Sequence, residues 1–321
     1  MLLSAMVMAQ FDFFVVNVAA PTLALRLHAG PAALELIVGG YAFAYASGMI
    51  TGGRLGDLYG YRRLFVVGMV GFAVASLLCG VAGDPVELVV ARLVQGFTAS
   101  LMVPQVLAVI TAVVPAEDRG RALGWFGAAT GLGAIAGQVL GGVLLNADVF
   151  GLGWRAIFLV NVPVGVVASV FAGRFLPRVR VVRGARLDLV GAAAVAVSLA
   201  LVLVPLTLGR GAGWPTWTWV CLGLAVPGLG LTAYWLRWLR TRGGQPVLDP
   251  GLLRVRSYVA GLGSNVAFMV YFGSFMFTLT LLLQGGLGLS ALDAGLAFLP
   301  MGVLYTGTTL VGAGLVVRFG V

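Results

Sequence analysis

Long apolar stretches separated by short polar segments run through the whole chain. A transmembrane helix needs about 20 mostly apolar residues. Ten stretches meet that requirement, at residues 2–25, 34–54, 64–83, 87–114, 121–146, 156–176, 187–209, 217–238, 258–284 and 294–317. Between them, glycine, proline and charged residues predict turns, as in HAGPAA, VPAEDRGR and RTRGGQPVLDP. The pattern therefore predicts an all-α polytopic membrane protein.

The composition supports the same class of protein. Hydrophobic residues make up 60% of the 321 residues and charged residues 10%, whereas soluble domains carry about 25% charged residues. So few charges do not cover a globule with polar surface, which argues against a soluble protein. The 48 glycines indicate helices that approach one another closely through small side chains.

The distribution of arginine predicts the orientation of the spans. The 20 Lys and Arg residues are all arginine. If the N-terminus is cytoplasmic, sixteen of them lie in or beside inner loops and only Arg26, Arg155 and Arg210 lie in outer loops. The run from Arg174 to Arg186 is typical of a solvated linker beside anionic lipid headgroups. We therefore expect a multi-pass protein of the plasma membrane whose net charge of +9 faces lipid and not nucleic acid.

Other chemistry is sparse in the sequence. Cys79 and Cys221 lie in separate apolar runs, as small buried hydrophobes do, and His28 is the one histidine. We therefore expect no disulfide, no metal site and no cofactor. The sequence also offers no nucleotide-binding glycine loop and no catalytic triad with a usable histidine, which argues against an enzyme.

Asp12 is a carboxylate in the middle of the first apolar stretch, MLLSAMVMAQFDFFVVNVAAP. A secretory signal peptide would need a basic start and an uninterrupted apolar core, but no basic residue precedes Arg26. An ionised, unpaired carboxylate inside a membrane is costly, so its charge should depend on a nearby cation. Two hypotheses stay open: Asp12 exchanges a proton for a cationic ligand, or it is a structural residue that hydrogen-bonds a neighbouring helix.

Arg92, in the stretch LVVARLVQGFTAS, is the one arginine inside a predicted span. A buried arginine costs at least about 2.5 kcal/mol and usually marks a paired or functional site. Near a helix end it can also extend to the interface. Because it is the one in-membrane cation, Arg92 is the natural partner of Asp12.

Two glycine patterns stand out. In GGRLGDLYGYRRLF, residues 52–65, glycines permit a tight reversal, and Asp57 lies among arginines in a way that predicts a surface charge network. In GLGAIAGQVLGGVL, residues 131–144, the glycines Gly133, Gly137 and Gly141 lie four apart on one helix face beside Gly142. The second pattern is typical of helix packing.

Taken in order, these stretches resemble signatures of the major facilitator superfamily. The resemblance implies a gating role for the loop residues Gly53, Asp57, Gly60, Arg62 and Arg63. The fourth-span pattern implies that Arg92 is the charge partner in proton transfer, and the first span is similar to the first-helix signature through Asp12, Asn17, Ala19 and Pro21, with Phe14 in place of Thr.

The glycine face of the fifth span resembles the antiporter signature of proton-coupled exporters, with Gln138 where that signature has proline. The segments at 153–165, 186–191, 246–258 and 281–300 are similar to the fourteen-helix drug:proton antiporter branch. The resemblance covers almost the whole chain. It implies proton-coupled export of small lipophilic or cationic compounds, such as antibiotics, by alternating access.

On the plan of that branch, residues 1–176 form a complete N-terminal six-helix bundle of the major facilitator fold. Residues 177–186 form a basic cytoplasmic linker, 187–240 form two extra transmembrane helices, and 241–321 form the first two helices of an incomplete C-terminal bundle. Since such transport needs two bundles that move about a shared site, we expect a longer protein or a partner chain that supplies the rest. The alternative is a non-transporting remnant or a membrane interaction module.

Several residues are candidates to line a substrate cavity. Aromatic and polar residues predicted on inward faces are candidates to line one, although most serve equally well in packing or at the interface. They are Tyr41, Tyr45, Gln95, Gln105, Trp125, Asn265 and Tyr271.

Overall fold

The computed structural model describes residues 1–177 and 187–319, with the backbone alone at residues 291, 310 and 312–319. The expected basic linker at 177–186 therefore lies almost wholly outside the described residues. Within them, nine helices are long and apolar enough to cross a membrane, and they coincide with the first nine predicted spans. The all-α polytopic fold is confirmed.

The helices follow one another with short connections. They are α1 Leu2–Arg26, α2 Pro31–Tyr59, α3 Tyr61–Val81, α4 Pro85–Val113, α5 Ala116–Ala147, α6 Ala156–Leu159, α7 Asn161–Phe175, α8 Leu189–Leu208, α9 Thr216–Thr241, α10 Arg256–Leu281, α11 Ala291–Ala297 and α12 Leu299–Phe319. Short 3₁₀ turns precede α6, and a π-helical turn, Leu282–Gly286, follows α10.

Local sequence explains several helix ends. Asp84 caps α4 by accepting hydrogen bonds from the backbone N–H groups of Val86 and Glu87, and Pro85 occupies the first helical position, where its missing N–H costs nothing. Gly60, between α2 and α3, has φ +93°, a conformation that glycine adopts without strain. These residues turn the chain sharply before and after α3.

Two predicted spans are interrupted. The sixth breaks at Val160 between α6 and α7, and the tenth, predicted at 294–317, breaks at Phe298 between α11 and α12. Pro163 and Pro300 follow these breaks by two or three residues, and proline lacks the N–H that would continue the preceding turn. Val160 and Phe298 nevertheless keep right-handed helical backbone angles, and the sixth predicted span is found as one apolar helical segment, Gly153–Phe175.

The helices α2 and α4 make the closest contact in the first half of the chain. A methyl group at Gly52 would lie 2.0 Å from the carbonyl oxygen of Ser100, and one at Gly96 would lie 2.2 Å from the carbonyl oxygen of Tyr41. The two backbones therefore touch at two levels because a hydrogen atom replaces a side chain at each. Close approach through small residues is how membrane helices gain packing energy.

Helix α5 lies between two partners. It packs along α1 on one side and along α11 and α12 on the other. A small core of Phe14, Ala134, Met276 and Phe298 joins α1 and α5 to the later helices. Helices α8 and α9 pack on each other and α8 also contacts α2, with a hydrogen bond between the Ser198 and Thr232 hydroxyls at 3.0 Å.

Replacing either glycine at the α2–α4 crossing should destabilise the protein. We expect Gly52→Ala and Gly96→Ala each to lower the free energy of unfolding by about 1–3 kcal/mol, because the added methyl group meets backbone and forces the helices apart. Thermal unfolding of purified protein would measure the loss. Gly223→Ala, where a methyl group meets nothing within 4 Å, is the matched control, and equal stability of all three variants would contradict the prediction.

Candidate functional site

The structure brings Asp12 and Arg92 together in the interior of the helical bundle. Oδ2 of Asp12 accepts a hydrogen bond from Nη1 of Arg92 in an ion pair, and both side chains are 0% exposed. Asp12 lies on α1 and Arg92 on α4, which contact each other directly. A pair this deep needs further hydrogen bonds to offset the cost of removing both charges from water.

Two amides complete the coordination of the Asp12 carboxylate. Oδ1 accepts hydrogen bonds from Nε2 of Gln95 at 2.8 Å and from Nδ2 of Asn161 at 3.1 Å. Gln95 lies one turn beyond Arg92 on α4, and its Oε1 accepts a 2.8 Å hydrogen bond from Arg92. Both carboxylate oxygens are therefore engaged without any exposure to solvent.

Arg92 is held from three sides. Its Nε donates to the carbonyl oxygen of Ile37 at 3.1 Å, and its guanidinium lies 4.4 Å from the ring centroid of Tyr41 and 5.8 Å from that of Phe158. Cation–π contacts with desolvated rings contribute on the order of 2 kcal/mol. Nη2 is buried without a hydrogen-bond partner among the described residues, so the guanidinium keeps one spare donor.

Sequence reasoning missed several members of this network. The Ser76 hydroxyl accepts a 2.8 Å hydrogen bond from the Gln95 amide, and Sγ of Cys79 lies 3.5 Å from Oε1 of Gln95. Asn161 is the first residue of α7, directly after Val160. Ser76 and Asn161 are polar residues inside apolar spans, which is the signal that could have identified them. The break before Pro163 sets where Asn161 enters the bundle.

The network can do one kind of chemistry. The charge of Asp12 is supported by a single cation and two neutral amides, so movement of Arg92 would leave the carboxylate ionised without a partner in a medium that penalises this. Arg92 is therefore the one charged partner of the Asp12 carboxylate among the described residues. No group of three or more His, Cys, Asp or Glu side chains that could hold a metal occurs among the described residues.

A cavity of about 280 Å³ lies beside the ion pair, close to the lower end of the ~300–1,000 Å³ typical of small-molecule sites. Tyr41 and Tyr45, both predicted there, form part of its wall with their rings stacked 6.0 Å apart. Helices α1, α2, α5, α10 and α12 supply the other lining residues, which include Gln10, Phe13, Phe14, Thr130, Phe268, Met269, Phe272 and Tyr305.

Other residues expected at the cavity lie elsewhere. Gln95 belongs to the Asp12 network, and Gln105 donates to the carbonyl oxygens of Gly52 and Leu101 at 2.8 and 2.9 Å, so its amide joins α4 to α2. Asn265 is exposed, as are all residues of α10 from Arg256 to Tyr271. The side chains of Trp125 and Tyr271 are likewise exposed. Polarity identified these positions, but the packing around each helix decided which of them are buried.

The glycine face of α5 packs on α1. Methyl groups at Gly133, Gly137 and Gly141 would lie 2.6 Å from the carbonyl oxygen of Val7, 2.7 Å from that of Phe11 and 2.7 Å from the Val15 side chain. Gly142 is buried beside them. This contact fixes the depth of α1 next to α5 and so the height of Asp12 in the bundle.

The α2–α3 loop contacts distant parts of the chain. Asp57 accepts a 2.8 Å hydrogen bond from the Tyr61 hydroxyl and lies 3.8 Å from Arg54, whereas Arg62 donates to the carbonyl oxygen of Leu176 at 3.2 Å. Arg63 is exposed. The predicted charge network therefore forms around Asp57 through Arg54, and Arg62 joins the loop to the end of α7.

The same loop also reaches the segment before α10. Nη2 of Arg54 donates to the carbonyl oxygen of Pro246 at 3.0 Å. The next residue, Val247, donates its backbone N–H to Asp188 at 3.3 Å, and Asp188 also accepts a 3.1 Å hydrogen bond from the indole of Trp235. Arg54 and Asp188 thus hold one short segment from two sides.

The helices, the buried charge pair and the cavity define a polytopic α-helical membrane protein with a polar centre. A family model described as the Major Facilitator Superfamily matches residues 2–190, more than half of the chain. The chain belongs to the major facilitator superfamily.

Two relatives are similar along nearly the full chain. This chain is 42% identical to the "Probable actinorhodin transporter" of Streptomyces coelicolor over 99% of its own length and 55% of that protein. It is 36% identical to the "Puromycin resistance protein pur8" of Streptomyces alboniger, over 99% and 62% of the two chains. The chain spans about half the length of the curated relatives it matches. The relatives are named for transport and resistance and not as enzymes, as the sequence predicted.

A solved structure shows the same fold. The proton:xylose symporter XylE bound to 6-bromo-6-deoxy-D-glucose has a TM-score of 0.64 at 16% identity, over 99% of this chain and 68% of that chain. At this identity the likeness concerns the fold alone.

Removing one member of the ion pair should destabilise the protein. We expect Arg92→Met to lower the free energy of unfolding by about 3 kcal/mol, because Asp12 is left buried without its cation. The double variant Asp12→Asn with Arg92→Met should regain at least half of the loss. Thermal unfolding in detergent measures both, and a single variant as stable as the wild type would show that the pair contributes nothing to folding.

Loss of the Arg54 contact should loosen the segment before α10. In Arg54→Gln we expect faster hydrogen exchange in a peptide covering residues 245–249, because the hydrogen bond to the Pro246 carbonyl is lost while the contacts to Asp188 and Arg240 remain. Arg63→Gln, at an exposed position of the same loop, is the control. Unchanged exchange in Arg54→Gln would mean that the hydrogen bond to Pro246 does not hold the segment.

Proposed function

We propose that this protein is a secondary active exporter that moves small lipophilic or cationic compounds out of the cell in exchange for protons. Membership of the superfamily and the names of two relatives, a transporter and a resistance protein, support small-molecule export. The buried Asp12–Arg92 pair is the observation that carries proton exchange, because a carboxylate whose charge rests on one cation is sensitive to the position of that cation.

Tyr41 connects the ion pair to the cavity. The Arg92 guanidinium stacks on the Tyr41 ring, and Tyr41 also forms part of the cavity wall. The Tyr41 hydroxyl donates a hydrogen bond to the carbonyl oxygen of Ala9 on α1 at 3.0 Å. A substrate in the cavity therefore lies one aromatic ring away from the charge pair. This is the shortest route by which occupancy of the cavity can affect Asp12.

The proposed exchange follows from that arrangement. Substrate packed against Tyr41 holds the ring on Arg92, and Arg92 in turn keeps Asp12 ionised. When the substrate leaves, the ring and the guanidinium are free to move from Asp12, which then takes up a proton. Substrate and proton thereby exclude each other, and a coupling free energy of a few kcal/mol between them is enough for exchange.

The loop between α2 and α3 serves as the cytoplasmic gate in this proposal. Its contacts with Leu176 and Pro246 join the first helices to the segments that precede α8 and α10. Gly53 and Gly60 keep the loop compact, while Asp57 orients Arg54. Breaking these contacts would let the cytoplasmic ends separate, as alternating access requires.

The setting of the protein is part of the proposal. The arginine distribution supports a cytoplasmic N-terminus in the plasma membrane. Residues 1–176, 187–240 and 241–321 are assigned to the N-terminal bundle, two extra helices and part of a second bundle, and a C-terminal segment or a partner chain would supply the rest of the second bundle. The relatives' greater length supports this assignment.

The decisive experiment uses residues 1–321 in everted membrane vesicles with an imposed pH gradient. We expect uptake of at least one of two dyes, cationic ethidium and uncharged Nile red, that depends on the gradient. In Asp12→Asn that uptake should fall at least tenfold, since the amide does not titrate. Asp118→Asn, at an exposed position in the first turn of α5, is the matched control.

The outcomes separate the alternatives. Gradient-driven uptake that survives Asp12→Asn would overturn the role of Asp12 but not export. Absence of uptake of both dyes by the wild type, with intact folding, would overturn export by this chain and favour a non-transporting membrane protein.

A further inference from the structure

Gln138 on α5 is a buried amide without a partner. Its side chain is 2% exposed, and neither Nε2 nor Oε1 has a hydrogen-bond partner among the described residues. An unsatisfied buried amide costs about 1–3 kcal/mol. Such a group is retained at a cost to stability, which calls for a use outside folding.

Gln138 faces a crevice that adjoins the cavity. The crevice, of about 10 Å³, has room for about one water molecule. It shares Gly131, Ala134, Phe272 and Tyr305 with the cavity wall. The crevice lined by Gln138 therefore adjoins the end of the cavity that is formed by α5, α10 and α12.

The cavity wall itself is aromatic and uncharged. Phe13, Phe14, Phe268, Phe272 and Tyr305 contribute rings to it, and none of the described residues that line the cavity or the crevice carries a charge. The charged group that stacks on a ring of the wall is the Arg92 guanidinium, on Tyr41. Flat aromatic molecules gain stacking energy in such a site, whereas a cation would lose its hydration without meeting a carboxylate.

We propose that the cavity binds a flat, uncharged aromatic compound and that Gln138 recognises an oxygen substituent at one end of it. The amide would donate to a carbonyl oxygen or accept from a hydroxyl group. This assignment rests on the proposed export function and narrows its substrate class. It makes Gln138 a specificity-determining residue, at the position where the antiporter signature has proline.

The test measures binding and not transport, so it can fail independently of export. Purified wild-type chain in lipid nanodiscs is titrated with three tricyclic probes: fluorenone, fluorene, which lacks the carbonyl group, and 9-aminoacridine, a cation. Quenching of protein fluorescence gives each affinity. We expect fluorenone to bind about tenfold more tightly than fluorene, the amount that one hydrogen bond to a buried amide provides.

Variants assign the difference to Gln138. Gln138→Leu should make the affinities for fluorenone and fluorene equal without lowering thermal stability, because it removes an unpartnered amide. Gln138→Glu should shift the preference toward 9-aminoacridine. The matched control is Gln105→Leu, which removes a buried amide on α4 away from the cavity and should leave the fluorenone-to-fluorene ratio unchanged.

Several results would overturn the inference. Equal affinity of the wild type for fluorenone and fluorene, or a ratio that persists in Gln138→Leu, would remove the role of the amide. Tighter binding of 9-aminoacridine than of fluorenone by the wild type would overturn the uncharged class. Binding as expected in a chain that transports neither dye would support recognition by Gln138, refute the export function and so overturn the assignment of the bound compound as an export substrate.

Discussion

The cost of burying charge governs the centre of this protein. An aspartate and an arginine without solvent contact are stable only as a pair with further hydrogen bonds, and here every group of the two side chains except Nη2 of Arg92 has a partner among the described residues. Four helices meet that demand: α1 supplies Asp12, α4 supplies Arg92 and Gln95, α7 supplies Asn161, and α2 supplies the carbonyl oxygen of Ile37. The relative positions of these helices are therefore set by electrostatics as much as by packing.

Glycine residues allow the helices to approach closely enough to form this hydrogen-bond network. The α2–α4 crossing depends on Gly52 and Gly96, and the α1–α5 contact depends on Gly133 and Gly137. Without a side chain at these positions the backbones touch, and the polar groups of neighbouring helices come within hydrogen-bond distance. Small residues and charged residues thus act together, since the first determine the spacing that the second require.

The sequence was sufficient for the fold class and for part of the site. Asp12 and Arg92 stand out because each is a charge in an apolar span, and hydropathy located the nine helices of the described residues that are long and apolar enough to cross a membrane. It was insufficient where a single hydrogen bond or the packing around a helix decides the outcome. Pro163 and Pro300 follow one-residue irregularities, at Val160 and Phe298, in helices that hydropathy treats as uniform. Gln105 and Asn265 are polar like Gln95, yet Gln105 forms an interhelical hydrogen bond and Asn265 lies in a part of α10 whose residues are all exposed.

Helix α5 imposes a restriction on motion. One face carries Gly133, Gly137 and Gly141 against α1, and another carries Gly131 and Ile135 against Tyr305 and Gly302 of α12. Helix α5 therefore packs against both α1 and α12. A displacement of α12 relative to α1 would then be a slide along α5, of the kind seen in shear motions of packed helices. The aromatic wall of the cavity would change shape during that slide.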